Sequence, residues 1–556
     1  MAIQLTINGQ TVEARGGVSL FDQAEALGID VPTSCRKQGK CKECMVEVVE
    51  GGALLSPMTE AEQHLKGRFR LSCQTYVTGA SGQVRCHTMR RGQMRIEGHA
   101  LGLPASGRPM ELDPAVTRDG DRILMDGVEV ERCGGPDVSP IHGLAMDLGT
   151  TTVVMRLLNL ETGELVADTS FENPQRFGGS EVMSRIAYDT DHRGKLLMRT
   201  LAGYLSHAIE KFPVDPLTIY EMVVAGNSTM RDLFFRQNVY SIGQTPYRSV
   251  TEIEMAEGKR TTTSLEMTGL RSLLPIHPKA RVYGAPIISG HVGADAAAGM
   301  LAVDLAHEER LVAIMDIGTN TELIVGNKDR ILAASCPAGP AFEGGAIACG
   351  MPALDGAVEE VAIEDDGSFR LKVIGDGKPE GVCGSGLVDA LSELLRTEQM
   401  NDKGRFEDDV RRVTLWEAGP GREDEDVFLL ESDVNELAQA KGANVAGLHV
   451  VFSTFGINFD DIDVFYLAGG FGRHLKVEAS KRIGLVPWID SSKIVQAGNT
   501  AIEGATIALL SMKKRREMEE LVKKVEHCRL ETHPNFFDFF VEGCQFKPVE
   551  PMPCAQ

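Results

Sequence analysis

The same short pattern occurs twice in this chain, each time between two apolar runs. The first copy, GLAMDLGTTTVVMRLLN, contains Asp147 and Gly149, and the second, LVAIMDIGTNTELIVGN, contains Asp316 and Gly318. In both copies an apolar run ends at an aspartate, a glycine makes a tight turn, hydroxyl or amide side chains follow, and a second apolar run begins. Two β-hairpins of one design predict an internally duplicated α/β fold.

Hairpins of this kind are suited to the phosphates of a nucleotide. Glycine lets the backbone approach closely, hydroxyl and N–H groups donate hydrogen bonds to phosphate, and aspartate holds hydrated Mg²⁺. We therefore assign Asp147 and Asp316 to magnesium and water. Phosphate binding is assigned to the turn residues Gly149, Thr150, Thr151, Thr152, Gly318, Thr319, Asn320 and Thr321. Glu322 is assigned as a catalytic residue, and the general base stays open between Glu322 and Glu343.

Three further segments complete an ordered set with the hairpins. MVVAGNSTMRDLF at 222–234 resembles a first connecting element, and NTAIEGATIALL at 499–510 resembles a second. Between them, FYLAGGFGRHL resembles an adenosine-binding turn and supplies Gly469, Gly470 and Gly472. This order resembles that of the actin, sugar-kinase and heat-shock-chaperone superfold, which implies that the nucleotide is ATP with Mg²⁺.

Cysteines near the N-terminus form a second pattern. Cys35, Cys41 and Cys44 are spaced C-x5-C-x2-C, and Cys73 follows in RLSCQTYV. Thiolates select iron–sulfur clusters or zinc. Three on one loop with a distant fourth is typical of [2Fe–2S] proteins, whereas structural zinc usually has two C-x2-C pairs. The four cysteines are predicted to hold a [2Fe–2S] cluster, with zinc as the alternative.

The residues around these cysteines resemble a ferredoxin of the plant or adrenodoxin type. Alternating residues on both sides of Asn8-Gly9 predict a β-hairpin, and Ser19 to Leu27 predicts a helix. Hairpin, helix, cysteine loop, strand and late cysteine follow the ferredoxin order, and the x5 gap is the adrenodoxin-like spacing. This resemblance implies a β-grasp domain.

The length and the breaker residues indicate several domains. A chain of 556 residues is too long for one ordinary core. The predicted fold class is multidomain α/β, with a β-grasp [2Fe–2S] ferredoxin domain at 1–90 and a linker at 91–140. The ATPase domain, duplicated and of the actin, sugar-kinase and heat-shock-chaperone type, is predicted at 141–556.

Net charge and composition limit the kinds of partner that the chain can bind and the cell compartment in which it is expected. The net charge is −22, which disfavours nucleic acid because phosphate binding needs a basic face. The N-terminus lacks the pattern of a secretion signal, and no long uninterrupted apolar stretch predicts a membrane span. The chain contains 12 cysteines, and together these features favour free thiols in a reducing cytoplasm.

The fused arrangement resembles the reductive activators of corrinoid proteins. The resemblance includes the cysteine loop, GLAMDLGTTT, NPQRFGGSEVMSRI at 173–186, AGNSTM, MDIGTNTE, CPAGPAFEGG at 336–345, GVCGSGLVDA and LAGGFG. It implies ATP-dependent one-electron reduction of an inactive Co(II)-corrinoid protein to Co(I), which reactivates a corrinoid-dependent methyltransferase system. It also implies a reductase as electron donor, and a homodimer.

Two other functions stay open at this stage. An activator of another low-potential enzyme, such as a radical dehydratase, would also couple this superfold to electron transfer. A kinase-like or chaperone-like ATPase would use the cysteines only as a structural metal site, and its ATP turnover would be indifferent to corrinoid protein.

Overall fold

The structure is a computed structural model that describes residues 3–89, 107–132, 139–192, 195–407, 410–470 and 472–550. The chain divides into two compact units. The first consists of Met1–Gln93, Pro114–Val224 and Thr229–Gly284, and the second of Met94–Asp113, Ala225–Ser228 and Ala285–Gln556. Two parts of the predicted linker, 91–106 and 133–138, lie outside the described residues.

The N-terminal part of the first unit is a five-stranded sheet with one helix. Its elements are β1 (Ile3–Ile7), β2 (Gln10–Glu13), α1 (Leu20–Ala26), β3 (Met45–Glu50), β4 (Phe69–Leu71) and β5 (Gly82–Thr88), and the sheet order is β2-β1-β5-β3-β4. The predicted hairpin is confirmed, since β1 and β2 are antiparallel and Asn8 and Gly9 both have positive φ. The predicted helix is also confirmed, with the Ser19 hydroxyl accepting from Asp22 N–H at its start.

A small antiparallel sheet follows in the chain. It consists of β6 (Val116–Asp119), β7 (Arg122–Met125) and β8 (Val128–Arg132). It lies within residues 91–140, which were predicted as a linker.

A six-stranded sheet forms the rest of the first unit. Its strands are β9 (His142–Leu148), β10 (Thr152–Asn159), β11 (Leu165–Glu172), β12 (Ile219–Gly226), β13 (Leu265–Thr268) and β14 (Arg281–Gly284), in the order β11-β10-β9-β12-β14-β13. The helices are α2 (Val182–Asp191), α3 (Leu196–Ile209), α4 (Ser228–Phe234), α5 (Val250–Ala256) and α6 (Gly269–Ser272).

The second unit contains another six-stranded sheet. Its strands are β15 (Val312–Ile317), β16 (Thr321–Gly326), β17 (Ile331–Cys336), β23 (Val464–Ala468), β24 (Ile494–Gly498) and β25 (Val525–His527), in the order β24-β23-β15-β16-β17-β25. Smaller sheets use β18 (Ala357–Ile363), β19 (Phe369–Val373), β20 (Gly381–Val382), β21 (Arg412–Trp416) and β22 (Val427–Leu430). The helices are α7 (Ala294–Ala302), α8 (Gly384–Arg396), α9 (Glu431–Phe455), α10 (Val477–Arg482), α11 (Thr500–Leu510), α12 (Met512–Leu521) and α13 (Phe536–Gly543).

The two large sheets confirm the duplication. The order β11-β10-β9-β12-β14 in the first unit corresponds strand for strand to β17-β16-β15-β23-β24 in the second. Each sheet therefore has a three-stranded antiparallel part that begins with one of the repeated hairpins. The predicted fold class is confirmed in both of its parts.

Small residues bring α7 and α11 into close contact in the second unit. A Cβ atom at Gly504 would lie 2.0 Å from the Ala298 carbonyl oxygen, and one at Gly299 would lie 3.1 Å from Thr500 Oγ1. The sequence singled out α11 as resembling a second connecting element and 222–234, which forms β12 and α4, as resembling a first. The helix that packs on α11 is α7.

None of the helices in the described part of the chain combines the length and the apolarity needed to span a bilayer.

Candidate functional site

The four predicted cysteine ligands form two sulfur pairs in the N-terminal module. The Cys44 and Cys73 sulfurs are 3.3 Å apart, although the cysteines come from different parts of the chain. The side chains of Cys35 and Cys41 hydrogen-bond each other. A hydrogen bond from Cys44, opposed by burial and aided by the Gln74 amide, lowers the pKa of Cys73 to about 6, which favours the thiolate that binds metal.

Pairing of the sulfurs favours the cluster over a single zinc ion. Zinc–sulfur bonds of about 2.3 Å in a tetrahedron place all four sulfurs about 3.8 Å apart. Among the described residues, the only group of three or more potential ligands within 4.8 Å of one another is Asp304, His307 and Glu517, so no three of these cysteine sulfurs meet that distance. A two-iron cluster instead takes one pair of cysteines on each iron.

Backbone N–H groups of the loop point at the sulfurs. Cys35 accepts from the N–H groups of Gln38, Lys40 and Cys41, and Cys73 accepts from that of Gly39. Such donors offset the negative charge of an iron–sulfur cluster. The loop therefore provides both the ligands and the surroundings that a [2Fe–2S] cluster needs.

Gly39 is the position where a side chain would disturb this loop. Its φ is +68°, and an added Cβ would lie 3.0 Å from Gln74 Cδ and 3.1 Å from Ala61 Cβ. We expect Gly39→Ala to lower the iron and sulfide content of the purified protein. Gly67→Ala is the matched control, because Gly67 has a φ of +64° in the same module but nothing within 4 Å of the added Cβ. Both changes carry the left-handed backbone cost of about 1–2 kcal/mol, so an equal loss of iron in both would contradict a specific role of Gly39 in the cluster loop.

In the first unit, hydrogen bonds from Asn173 and Arg185 hold the turn of the first predicted phosphate hairpin. Its turn joins β9 to β10, and a Cβ at Gly149 would lie 2.6 Å from the Thr152 carbonyl oxygen. Asn173 donates from Nδ2 to the Gly149 carbonyl at 2.8 Å and from its backbone N–H to the Thr151 carbonyl at 2.7 Å. Arg185 donates to the Thr150 carbonyl at 2.7 Å. These bonds fix the carbonyl groups of the turn and so hold its conformation.

The second phosphate hairpin lies in the second unit. Asp316 on β15 pairs directly with Glu322 on β16. The Thr319 hydroxyl donates to Glu343 Oε2 at 2.6 Å, and the Thr319 carbonyl accepts from Gly339 N–H at 2.8 Å. Both candidates for the general base therefore belong to this hairpin or touch it.

The predicted adenosine turn lies beside the same hairpin. Gly469 has a φ of +107°, and a Cβ there would lie 2.3 Å from the Ile317 carbonyl oxygen and 3.1 Å from Asp316 Oδ1. Only glycine permits this approach. Gly470 and Gly472 follow in the turn after β23. The second unit thus brings a predicted nucleoside turn next to a predicted phosphate turn.

Three carboxyl groups cluster at the second hairpin. Asp295 at the start of α7 joins Asp316 and Glu322, and burial raises the pKa of Asp295 to about 6. Burial, with added repulsion from Asp295 and Asp316, raises the pKa of Glu322 well above its usual value. Buried acids with raised pKa values are suited to proton transfer. No sequence signal singled out Asp295, because its motif, GADAAAG, is that of an ordinary core helix.

Neutralising Glu322 tests the repulsion within this cluster. A raised pKa in the folded state makes wild-type stability fall as pH rises from the ordinary glutamate value toward the raised one. Glu322→Gln removes that fall, so we expect its melting temperature to match wild type near pH 4.5 and to exceed it increasingly at higher pH. A melting-temperature difference that does not change with pH would contradict the raised pKa.

A second measurement distinguishes the two candidates for the general base. It compares the rate of ATP hydrolysis of Glu322→Gln with that of Glu343→Gln.

The sequence alone gave no reason to select Asn173 or Arg185 as supports of the first turn. Both are completely buried. Their motif, NPQRFGGSEVMSRI, was noted only as part of a family resemblance, and a buried arginine could have been suspected only from its position on the apolar face of a predicted helix. The roles assigned to the hairpin and cysteine residues remain predictions.

Family models match most of the chain in three consecutive parts. A 2Fe-2S iron-sulfur cluster binding domain matches residues 5–78. The RACo middle region matches 142–308, and the C-terminal domain of RACo, the ASKHA domain, matches 310–555.

Relatives that cover most of the chain agree with these matches. Corrinoid activation enzyme RamQ of Eubacterium limosum is 28% identical over 586 aligned residues, which cover 94% of this chain and 95% of that protein. The [Co(II) methylated amine-specific corrinoid protein] reductase of Methanosarcina barkeri is 25% identical and covers 72% of this chain and 76% of its own length. The solved structure of a reductive activator for corrinoid, iron-sulfur protein has a TM-score of 0.73 at 26% identity and covers 99% of both chains.

Fold, cysteine loop and paired hairpins define the class of protein, a [2Fe–2S] ferredoxin fused to an ATPase of the actin and sugar-kinase superfold. Its cofactors are a [2Fe–2S] cluster and ATP. The chain belongs to the family of ferredoxin-linked reductive activators of corrinoid proteins.

Proposed function

We propose that this protein reduces the inactive Co(II) form of a corrinoid protein to Co(I) by one electron at the expense of ATP. One electron passes from the reduced ferredoxin module to Co(II), and ATP with water gives ADP and phosphate. The observation that carries the proposal is the presence, on one chain, of a cluster-binding cysteine loop and two phosphate hairpins, in a family whose named members act on corrinoid proteins.

ATP has a physical role in this reaction. Co(I) is a stronger reductant than a typical ferredoxin, and each 100 mV uphill costs about 2.3 kcal/mol per electron. ATP binding can offset this cost only if the nucleotide and the corrinoid protein favour the same conformation of the activator, because coupling between two binding sites is reciprocal. Product release can then reset the protein for another encounter.

Within this proposal each group of residues has a role. Cys35, Cys41, Cys44 and Cys73 hold the cluster. Asp147 and Asp316 organise Mg²⁺ and water, and the general base is Glu322 or Glu343. The glycines and hydroxyl residues of the two hairpins hold phosphate, and Gly469, Gly470 and Gly472 lie beside the nucleoside.

The partners follow from the same reaction. The corrinoid protein belongs to a methyltransferase system, which needs Co(I) for each methyl transfer. A cellular reductase supplies the electron to the cluster. We place the protein in the cytoplasm as a homodimer, in keeping with the family resemblance and with the free thiols of the described cysteines.

An anaerobic visible spectrum tests the function directly. Holoprotein is mixed with a Co(II)-corrinoid protein and Ti(III), and MgATP is added last. Growth of the Co(I) band only after ATP is the expected result. Co(I) formation that ignores ATP would contradict the proposal, and an iron-free protein with ATP turnover indifferent to the corrinoid protein would favour the kinase-like alternative.

A further inference from the structure

Helix α3 of the ATPase part contacts the cluster loop within the first unit. Glu43 lies between the ligands Cys41 and Cys44, and its carbonyl oxygen accepts a hydrogen bond from the Tyr204 hydroxyl at 2.6 Å. A Cβ atom at Gly203 would lie 2.8 Å from Glu43 Cδ, so a larger residue there would displace the Glu43 side chain. The loop that surrounds the cluster is therefore held directly against the ATPase part.

A second contact to the ferredoxin module comes from residues 173–188, which we call the coupling segment. It contains a short 3-10 turn, Pro174–Gly178, and most of α2. The Tyr188 hydroxyl donates to the His64 carbonyl oxygen at 2.8 Å, and the Phe177 ring meets the His64 ring edge-on with centroids 5.8 Å apart. Arg176 lies 3.6 Å from Glu47 on β3.

The same segment also holds the first phosphate turn. Asn173 at its beginning and Arg185 on α2 make the hydrogen bonds to the carbonyl groups of Gly149, Thr150 and Thr151 described above. One short stretch of chain therefore contacts the predicted phosphate site at one side and the ferredoxin module at the other.

The side chains of the coupling segment pack closely against one another, so the segment should move as one unit. Arg185 and Tyr188 are three residues apart on α2 and so lie on neighbouring positions of one helix face. The Phe177 and Tyr188 rings pack edge-on at 5.4 Å, and a Cβ at Gly178 would lie 3.1 Å from the Tyr188 ring. A shift of the phosphate turn would displace Arg185 and Tyr188 together, because close-packed side chains transmit strain.

Hydrogen bonds continue from His64 to the cysteine loop. The His64 side chain bonds the backbone of Ala61, and Lys42 Nζ donates to the Ala61 carbonyl. Lys42 directly follows the ligand Cys41, and Ala61 is one of the two residues that a side chain at Gly39 would meet. A continuous set of contacts thus joins the Thr150 carbonyl to the residues around the cluster.

We infer that the coupling segment transmits nucleotide binding at the 149–151 turn to the cluster loop, with Tyr188 and Arg176 as positioning residues. This inference rests on the proposed function, since it assumes that ATP binds at the turn and the cluster in the loop. By reciprocity, nucleotide changes the cluster's affinity for an electron, and reduction of the cluster changes nucleotide affinity by the same factor.

The test uses the anaerobic holoprotein and needs no corrinoid protein. The dissociation constant of a non-hydrolysable ATP analogue with Mg²⁺ is measured for the oxidised and for the chemically reduced cluster. We expect the two constants to differ by about 5- to 150-fold in the wild type, which is the usual range of coupling between two binding sites. The midpoint potential of the cluster with and without analogue must give the same factor.

Two tyrosine variants form a matched pair. Tyr188→Phe and Tyr204→Phe each remove one hydroxyl that donates to a ferredoxin carbonyl, but only Tyr188 lies on the coupling segment. We expect Tyr188→Phe to bring the ratio of constants close to one, with unchanged iron content and unchanged affinity of the oxidised protein. Tyr204→Phe should leave the ratio of the two dissociation constants at its wild-type value. Arg176→Gln is a second variant on the segment, at a partly exposed position, and should reduce the ratio as Tyr188→Phe does.

The outcomes separate this inference from the proposed function. A ratio of one in the wild type overturns the inference, as does an equal loss of the ratio in Tyr204→Phe and Tyr188→Phe. Neither result bears on whether ATP drives Co(I) formation, which the visible spectrum measures. A normal ratio without ATP-driven Co(I) would instead overturn the proposed function and leave the coupling intact.

Discussion

Replacement of Cys73 by alanine should abolish reduction of the Co(II)-corrinoid protein while ATP binding persists. Cys73 lies 3.3 Å from Cys44, and the two sulfurs are the predicted ligands of one iron. Loss of one thiolate leaves that iron incompletely bound, so the cluster does not assemble. The measurement combines iron content, the visible spectrum of the cluster, the rate of Co(I) formation and equilibrium binding of MgATP.

Cys86→Ala provides the control for this experiment. Cys86 is buried in the same module, and burial raises the pKa of its thiol to about 12, so it is a neutral core residue. Its replacement removes one buried atom at a modest cost in stability. The variant should retain the cluster and full Co(I) formation. An iron-loaded, active Cys73→Ala protein would contradict the ligand assignment.

Replacement of Asp316 by asparagine should lower ATP-driven Co(I) formation by about 10²- to 10³-fold, the usual effect of removing one group that stabilises charge at a reacting centre. Asp316 accepts from the Thr500 hydroxyl at 3.4 Å and lies beside Glu322 and the Gly469 turn. Asparagine has nearly the same shape but lacks the charge that attracts Mg²⁺. The cluster spectrum should be unchanged, because the cysteine loop belongs to the other unit.

Asp463→Asn is the matched control for Asp316→Asn. Asp463 directly precedes β23, the strand beside β15, and its carboxylate accepts from Leu311 N–H at 2.9 Å, a bond that asparagine can also accept. ATP hydrolysis and Co(I) formation should both match wild type in this variant. Equal activity in Asp316→Asn and Asp463→Asn would remove Asp316 from the nucleotide site.

The two large predictions also separate the two halves of the reaction. Cys73→Ala should bind ATP without delivering an electron, and Asp316→Asn should carry a reducible cluster without ATP-driven transfer. Mixing the two variants tests whether cluster and nucleotide must act on one chain. Restored Co(I) formation in the mixture would show that they can act from different chains, as a homodimer allows.

The sequence by itself determined the features that depend on residues close together along the chain. Cys35, Cys41 and Cys44 lie on one loop, so their spacing alone predicted the ligands of a cluster. Asn8-Gly9 predicted a hairpin because two residues with positive φ are needed within that turn. The repeated hairpins at Asp147 and Asp316 predicted the duplicated fold because each copy contains its own strand, turn and strand.

Only the tertiary structure decided what residues distant in sequence do together. Asp295 joins Asp316 and Glu322 because α7 begins beside the second hairpin, and no pattern around Asp295 carries that information. The support of the first turn by Asn173 and Arg185, and the contact of Tyr188 with His64, likewise depend on packing between separate elements. Spacing along the chain encodes local geometry, whereas contacts between elements follow from burying their apolar faces together, which no single motif specifies.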